Sequence, residues 1–298
     1  MQVAAEDSFF HTFSLKQKLK DYAAFTKLRL SLLVVFSAVF GYLIGGDSFV
    51  FTKLIWLSLG GFLVTASSNG FNQIIEINLD CLMDRTKSRP LVTGKMSVIE
   101  GTSLSFVFGL SGTLILWLNF NVAAALLGIL ALFVYVSLYT PLKQISPWAV
   151  FVGAFPGAIP PMLGWVAATG YFSLEAGLLF AVQFMWQFPH FWAIAWKADQ
   201  DYAKAGFRLL PSRGGKDKTS AFLMLVYSLF LLLVSLLPVL FNLTGTIALI
   251  TFAISGILMI YPASTLYRKR NEASATKLMF ASFVYVPMVL IAWYLDKI

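Results

Sequence analysis

Residues 69–95 read NGFNQIIEINLDCLMDRTKSRPLVTGK, and within them an apolar segment gives way to charged side chains at a regular interval. Every fourth position is polar, at Asn72, Glu76, Asp80 and Asp84. Residues so spaced drift by only about 40° per step on an α-helix, so these four are predicted to line one side. Like charges at that spacing destabilise an isolated helix by roughly 0.2–0.5 kcal/mol per pair. The pattern therefore favours a cation bound between the acids.

The donor set of this segment indicates which cation that is. Oxygen ligands suit Mg²⁺, which binds one or two carboxylates, retained waters and phosphate oxygens in preference to a complete protein cage. Arg85, Lys87 and Arg89 follow directly and would place cations beside a diphosphate leaving group. The segment therefore predicts a site for a metal and a diphosphate. The alternative is a solvated loop of mixed charge at the end of an apolar helix.

The composition predicts an all-α integral membrane protein. The 298 residues are 58% hydrophobic and only 12% charged, with a mean hydropathy of +0.78. Apolar segments of about 20 residues, long enough to cross a ~30 Å hydrocarbon layer, recur throughout, without the alternation of a barrel. Residues 1–28 are predicted to form a cytoplasmic amino-terminal segment and 29–298 a single transmembrane domain. Nine helices are predicted to span the membrane, at 29–46, 54–75, 99–118, 121–138, 147–168, 175–195, 219–240, 244–266 and 276–295.

The basic residues give these spans an orientation. All of the 22 lysines and arginines except Lys53 and Lys297 fall on one side of the predicted bundle. By the positive-inside rule that side is cytoplasmic, so the amino terminus lies inside and the carboxyl terminus outside. The net charge of +8 is then a matter of topology, and no nucleic-acid partner is expected. We expect a bacterial inner membrane as the location.

Two further polar segments interrupt the apolar pattern near the predicted cytoplasmic face. In the first, Tyr139 and Lys143 are four residues apart, so a helix that continued past Pro141 would place an aromatic ring and a phosphate-binding cation on one face. In the second, His190 lies within an apolar span, where polar side chains are functional candidates. The same segment then carries a group of charged and aromatic residues: Lys197, Asp201, Tyr202 and Arg208.

These motifs resemble the intramembrane aromatic prenyltransferase superfamily, whose first motif, N-x-x-x-D-x-x-x-D, appears here as Asn72, Glu76 and Asp80. Three longer stretches are similar to the branch that farnesylates haem: NQIIEINLDCLMDRTKSRPLVTGK, YTPLKQISPW with GAIPPMLGW, and WQFPHFWAIAWKADQDYAKAGFRLLP. The resemblance implies a bundle around a central cavity that opens near the cytoplasmic face. It implies haem b and farnesyl diphosphate as substrates, Mg²⁺ as cofactor, and haem O as a product for a downstream haem A synthase or terminal oxidase assembly.

Site roles follow from the resemblance. Mg²⁺ is expected on Asn72, Glu76, Asp80 and Asp201, with Asp84 and Lys197 completing the catalytic set. Tyr139 is expected to shelter an allylic cation, and His190 to ligate the haem iron or position the macrocycle. The remaining substrate-binding residues are Arg85, Arg89, Lys143, Tyr202 and Arg208. Lys197 stands where many relatives carry an acid, which leaves the number of metal ions open.

Other functions are compatible with parts of the pattern. A prenyltransferase for a quinone-precursor aromatic acid would share the diphosphate chemistry, but the motif around His190 argues against it. A membrane transporter would also carry intramembrane acids, although these are usually near the midplane and not gathered at one face. A haem-binding assembly protein without catalysis would leave the acidic spacing unexplained.

Overall fold

Helices account for the regular elements of this computed structural model, which describes residues 15–46 and 50–298. The first fourteen residues of the predicted cytoplasmic segment therefore lie outside the described residues. In chain order the helices are α1 (Leu15–Phe25), α2 (Leu28–Gly45), α3 (Phe51–Ile75), α4 (Ile77–Asp80), α5 (Val98–Asn119), α6 (Val122–Phe133), a π-helix (Val134–Tyr139), α7 (Thr140–Ile145), α8 (Ala149–Thr169), α9 (Leu174–Lys204), α10 (Lys218–Leu240), α11 (Thr246–Lys269) and α12 (Glu272–Leu295).

Eight segments of this described chain are long and apolar enough to cross a membrane, and they correspond to eight of the nine predicted spans. The other predicted span, 175–195, falls in α9, which has 31 residues. Gln183, Gln187 and His190 make α9 more polar than its neighbours. The prediction of an all-α multi-pass membrane protein is confirmed.

Side-chain caps define where several of the spans begin. Ser97 accepts a hydrogen bond from the backbone N–H of Glu100 at the start of α5, so one otherwise unpaired donor is satisfied. Asn121, Ser173, Asp217 and Asn271 cap α6, α9, α10 and α12 in the same way. These residues are short polar side chains at the edge of apolar runs, which is why the span boundaries can be read from the sequence.

Close helix packing brings the two halves of the chain together. α2 lies directly on α8, and a Cβ added at Gly164 would stand 2.7 Å from the backbone nitrogen of Tyr42. α5 approaches α3 similarly at Gly112, where a Cβ would lie 2.8 Å from the carbonyl oxygen of Gly60. Small residues permit such contacts between transmembrane helices. The ends of α3, α7 and α9 on the side with most of the basic residues lie around a common site.

Candidate active site

A break between α3 and α4 forms the centre of the candidate site. Glu76 has φ −94° and ψ 8° and separates the two helices. Helical hydrogen bonds nevertheless continue across it, because Glu76 N–H donates to the Asn72 carbonyl and Asp80 N–H donates to the Glu76 carbonyl, at 3.0 and 2.8 Å. Asn72, Glu76 and Asp80 therefore keep the predicted one-turn spacing. All three are buried, and Asp80 is only 1% exposed.

Asp84 does not continue this row, and its predicted place on the same helix side is wrong. α4 ends at Asp80, whose carbonyl accepts a hydrogen bond from the Thr86 hydroxyl at 2.9 Å. The chain turns there because Met83 and Thr86 are buried beneath it. Asp84 is left with 64% of its side chain exposed, paired with Lys87 at 2.6 Å and with Lys204.

Cations of the chain itself lie against the buried acids. Lys143 forms an ion pair with Glu76 Oε1, although the contact lacks the alignment of a hydrogen bond. Arg89 donates to Asp80 Oδ2. Asp80 Oδ1, by contrast, is buried and has no hydrogen-bond partner among the described residues. The cluster thus combines two neutralised carboxylates with one free carboxylate oxygen.

Lys27 is a further cation of this cluster, at the junction of α1 and α2. It has φ 47° and ψ 54°, a left-handed conformation that is uncommon for a residue with a side chain. Its ammonium group donates to Asn72 Oδ1 at 3.2 Å. Asn72 Nδ2 donates in turn to the Thr140 hydroxyl, also at 3.2 Å. The Asn72 amide is therefore held from both sides.

The π-helix supplies the aromatic side of the site. Thr140, directly after it, donates to the Tyr135 carbonyl at 2.8 Å. Tyr135 and Tyr139 have ring centroids 5.1 Å apart, and the Lys143 ammonium lies 4.9 Å from the Tyr139 ring. Gly153 of α8 makes room for this arrangement, since a Cβ there would stand 2.6 Å from Tyr139. Both rings are partly exposed.

The end of α9 closes the site through Asp201. Its Oδ1 accepts the backbone N–H of Asp84 at 2.7 Å and its Oδ2 accepts that of Arg85 at 3.1 Å. Lys204 also donates to Oδ1 at 3.2 Å. Both oxygens of Asp201 therefore hold the loop after α4. The Arg85 guanidinium lies 5.5 Å from the ring centroid of Tyr202, which fixes that side chain beside the cluster.

Three other predicted site residues lie away from the acidic cluster. Lys197 and Arg208 are exposed at the end of α9 and in the loop that follows. His190 is buried in the middle of α9 against α12, where its Nδ1 lies 2.7 Å from the Ser282 hydroxyl. The structure thus does not place His190 in contact with the acidic cluster.

The pKa values of the buried and the exposed charged groups near the loop are shifted for different reasons. Burial raises the pKa of Asp80, and Arg89 opposes this only in part. Burial also lowers the pKa of Lys27 well below its ordinary value, and Arg89 and Lys143 lower it further. Hydrogen bonds from Lys204 and Lys87 lower the pKa of exposed Asp84 to about 2. A bound anion would reduce the electrostatic repulsion among Lys27, Arg89 and Lys143.

The residues present fit a Mg²⁺ ion that is completed by a substrate. In residues 15–46 and 50–298 no three His, Cys, Asp or Glu side chains converge to hold a metal alone. Two adjacent carboxylates, with the unpartnered Asp80 Oδ1, match the sparse protein ligation that Mg²⁺ prefers when phosphate oxygens are also present. Asp201 already accepts three hydrogen bonds, from the backbone N–H groups of Asp84 and Arg85 and from Lys204, which leaves about one lone pair on Oδ2.

The chain belongs to the UbiA prenyltransferase family, whose sequence model matches residues 34–285. Within that family it is similar to curated protoheme IX farnesyltransferases. The enzyme of Christiangramia forsetii is 48% identical over 94% of each chain. That of Cytophaga hutchinsonii is 44% identical over 95% of this chain and 100% of the relative.

Solved structures show the same fold. A structure of digeranylgeranylglyceryl phosphate synthase superposes with a TM-score of 0.78 at 23% identity, over 94% of this chain and 98% of the other. A UbiA homolog from Archaeoglobus fulgidus bound to GPP and Mg²⁺ gives a TM-score of 0.62 at 15% identity, over 92% and 99%. At these identities the likeness establishes the helical architecture.

Proposed function

We propose that this protein transfers the farnesyl group of farnesyl diphosphate to a vinyl group of haem b, with addition of water, giving haem O and diphosphate. The observation that carries the proposal is the buried cluster of Glu76, Asp80, Lys143 and Arg89 in a chain 48% identical to a protoheme IX farnesyltransferase. The protein lies in the lipid bilayer, and both substrates are amphiphiles that partition into the bilayer.

The side chains of the cluster suit the departure of a diphosphate. Lys143 and Arg89 supply positive charge where the C–O bond breaks and the electron pair leaves with the diphosphate, and the anion would favour the charged form of Lys27. Arg85 is held next to them by Tyr202 and by the loop contacts of Asp201. Such preorganised charge stabilises the leaving group without reorganisation.

We propose Mg²⁺ as the cofactor, with Glu76, Asp80 and Asn72 as the residues that would hold it. Bound there, the ion would neutralise charge on the diphosphate oxygens. The free Asp80 Oδ1 supports this assignment, as does the presence of Mg²⁺ with GPP in the Archaeoglobus fulgidus homolog. Asp201 is proposed to act on the loop instead of on the ion, and Asp84, Lys197 and Arg208 to contribute charge at the cytoplasmic entrance.

The aromatic side of the site suits the carbon chemistry. Tyr139 and Tyr135 can stabilise an allylic cation through the negative faces of their rings. The π-electron pair of the vinyl group then forms the new C–C bond, and water captures the resulting cation beside the porphyrin and loses a proton. Water must be kept from the farnesyl cation until then, since early capture would yield farnesol.

The surroundings of the enzyme are proposed from its charge and its relatives. We place it in a bacterial inner membrane with a cytoplasmic amino terminus, an external carboxyl terminus, and residues 1–28 as a cytoplasmic segment before the single domain 29–298. Its product would be consumed by a haem A synthase or during terminal oxidase assembly.

The reaction is tested by incubating the purified protein in detergent with haem b, farnesyl diphosphate and Mg²⁺, followed by mass spectrometry of the porphyrins. We expect haem carrying a farnesyl and a hydroxyl group, absent when Mg²⁺ is chelated. Asp80→Asn should lower turnover by about 100-fold or more, because it weakens the metal site and leaves Arg89 unpaired.

The matched control is Asp199→Asn, which changes an acid of α9 outside the described ion pairs of the cluster and should retain turnover. Prenylation of hydroxybenzoate with haem unaltered would reject haem as the acceptor. Normal haem O formation by Asp80→Asn would reject the metal assignment.

A further inference from the structure

His190 is a buried side chain that the diphosphate chemistry does not use. It is 6% exposed and lies on α9, facing α12. From His190 to Asp201 the helix advances eleven residues, about three turns or roughly 16 Å, so both lie on nearly the same face. A site at His190 would therefore be deeper in the membrane than the diphosphate cluster and aligned with it.

The hydrogen bonds of Ser282 fix the tautomer of His190. The Ser282 hydroxyl has a single proton, which it donates to the Met279 carbonyl at 2.6 Å. Its contact with His190 Nδ1 at 2.7 Å must then be accepted by the serine oxygen. Nδ1 accordingly carries the imidazole proton, and Nε2 carries a lone pair. No hydrogen bond to Nε2 occurs among the described residues.

The imidazole ring is also fixed in orientation. Trp186 stacks on it with centroids 4.4 Å apart and planes 17° apart. The Trp186 indole N–H donates to the Ser282 carbonyl at 2.8 Å, so the same residue of α12 holds both rings. A histidine with its Nδ1–H engaged and its Nε2 bare is the arrangement by which proteins orient a metal-binding imidazole.

His190 lies next to an exposed aromatic side chain of α12. The Phe283 ring meets the imidazole edge-on at 5.1 Å and is 42% exposed on the surface of α12. At the carboxyl-terminal end of α12, Phe40 packs against Tyr294, and Lys297 donates to the carbonyls that end α2. These contacts leave no gap between α12 and α2 at that end. A planar amphiphile dissolved in the membrane could thus approach the imidazole along α12.

We infer that Nε2 of His190 is an axial ligand of the haem iron, and that Ser282 is the positioning residue that presents it. Imidazole nitrogen suits iron, and the aromatic rings around it suit a porphyrin face. The inference rests on the proposed function, because haem is a substrate there. It adds the ligating atom, its tautomer and the face of the bundle from which haem binds.

Absorption titration of the purified protein with haem b and with metal-free protoporphyrin IX tests the ligation. The wild type should bind haem more tightly than protoporphyrin, with the optical and electron paramagnetic resonance signature of nitrogen ligation. His190→Ala and His190→Gln should bind haem at least ~10-fold more weakly, and protoporphyrin as before. Retained protoporphyrin binding shows that the variants are folded. Added imidazole should restore the signature in His190→Ala.

Ser282→Ala tests the positioning role. It should lower haem affinity by about tenfold and alter the ligation spectrum while protoporphyrin binding is unchanged, and Ser282→Thr should restore both. His11→Ala, which removes the chain's only other histidine, should leave the haem spectrum unchanged. An unchanged spectrum in His190→Ala and His190→Gln would overturn the inference.

Product analysis of the same samples separates the two claims. Haem O formation by the wild type with no His190-dependent spectrum would refute the ligand and leave the proposed function standing. A His190-dependent spectrum without farnesyl transfer would refute the proposed function and leave the ligand standing.

Discussion

Lys27 illustrates how a single residue can contribute to a distant site. It lies 45 positions before Asn72 in the chain, yet its left-handed backbone directs its ammonium group to the Asn72 amide. Backbone conformations of this kind cost free energy and persist where surrounding contacts impose them. Because the cations Arg89 and Lys143 are also nearby, the free energy gained when Lys27 meets an anion is expected to be large.

Lys27→Met should weaken the binding of farnesyl diphosphate. A hydrogen bond to a charged group contributes about 1.5–3 kcal/mol, so the Michaelis constant for the diphosphate substrate should rise by roughly tenfold or more. Steady-state kinetics at saturating haem measures this constant. Lys20→Met removes an exposed lysine from the neighbouring α1 and serves as the control. Equal Michaelis constants for Lys27→Met and the wild type would exclude a contact with the diphosphate.

The residues that could be predicted from the sequence are those linked by local periodicity. Asn72, Glu76 and Asp80 follow the four-residue spacing and remain stacked in the structure. Asp84 follows the same spacing, but tertiary burial of Met83 and Thr86 ends the helix before it. Lys27 and Thr140 could not be predicted as neighbours of Asn72, because their contacts depend on how separate helices pack.

At the level of elements, the end of α9 acts on the loop that follows α4. Asp201 is predicted as a metal ligand, and in the structure its two oxygens receive the backbone N–H groups of Asp84 and Arg85. Sequence spacing places Asp201 near the acids but does not indicate which donor it meets. The π-helix before Thr140 is equally invisible in the sequence, since six apolar and hydroxyl residues there are compatible with an ordinary α-helix.

Asp201→Ala should loosen this loop even when no metal is present. Loss of two hydrogen bonds to a carboxylate should increase amide exchange at Asp84 and Arg85 by about tenfold or more. Hydrogen exchange with mass spectrometry of peptides covering residues 82–88, in the presence of chelator, measures the effect. Asp199→Ala is the matched control on the same helix. Exchange in Asp201→Ala equal to that of the wild type in chelator would reject the role of Asp201 in holding the loop.

For the whole molecule, helix contacts explain the two exceptions to the distribution of basic residues. The two basic residues that break the positive-inside pattern both bind helix ends. Lys53 donates to the Asn119 carbonyl, and Lys297 donates to the carbonyls of Leu43, Ile44 and Gly46 at 3.0, 3.2 and 2.8 Å. Cations stabilise such carboxyl-terminal helix ends. Both lysines thus have a structural reason to lie on the side opposite the other basic residues.

The apolar spans themselves could be predicted from composition, whereas their neighbours in space could not. Runs of about 20 apolar residues between capping residues fix where the helices lie along the chain. The contact of α2 with α8 depends on glycines more than 100 residues apart, Gly41 and Gly164, and no local pattern links them.

The chain's one cysteine provides a direct test of the proposed orientation. Cys81 is exposed in the turn after α4, on the side with most of the positive charge. A membrane-impermeant maleimide should therefore label it in inverted membrane vesicles and not in intact spheroplasts. Cys81→Ser should abolish the labelling, and Phe241→Cys in that background, at the exposed end of α10, should be labelled only from outside. If Cys81 reacted in spheroplasts, the diphosphate site would face away from the cytoplasm and the proposed topology would be rejected.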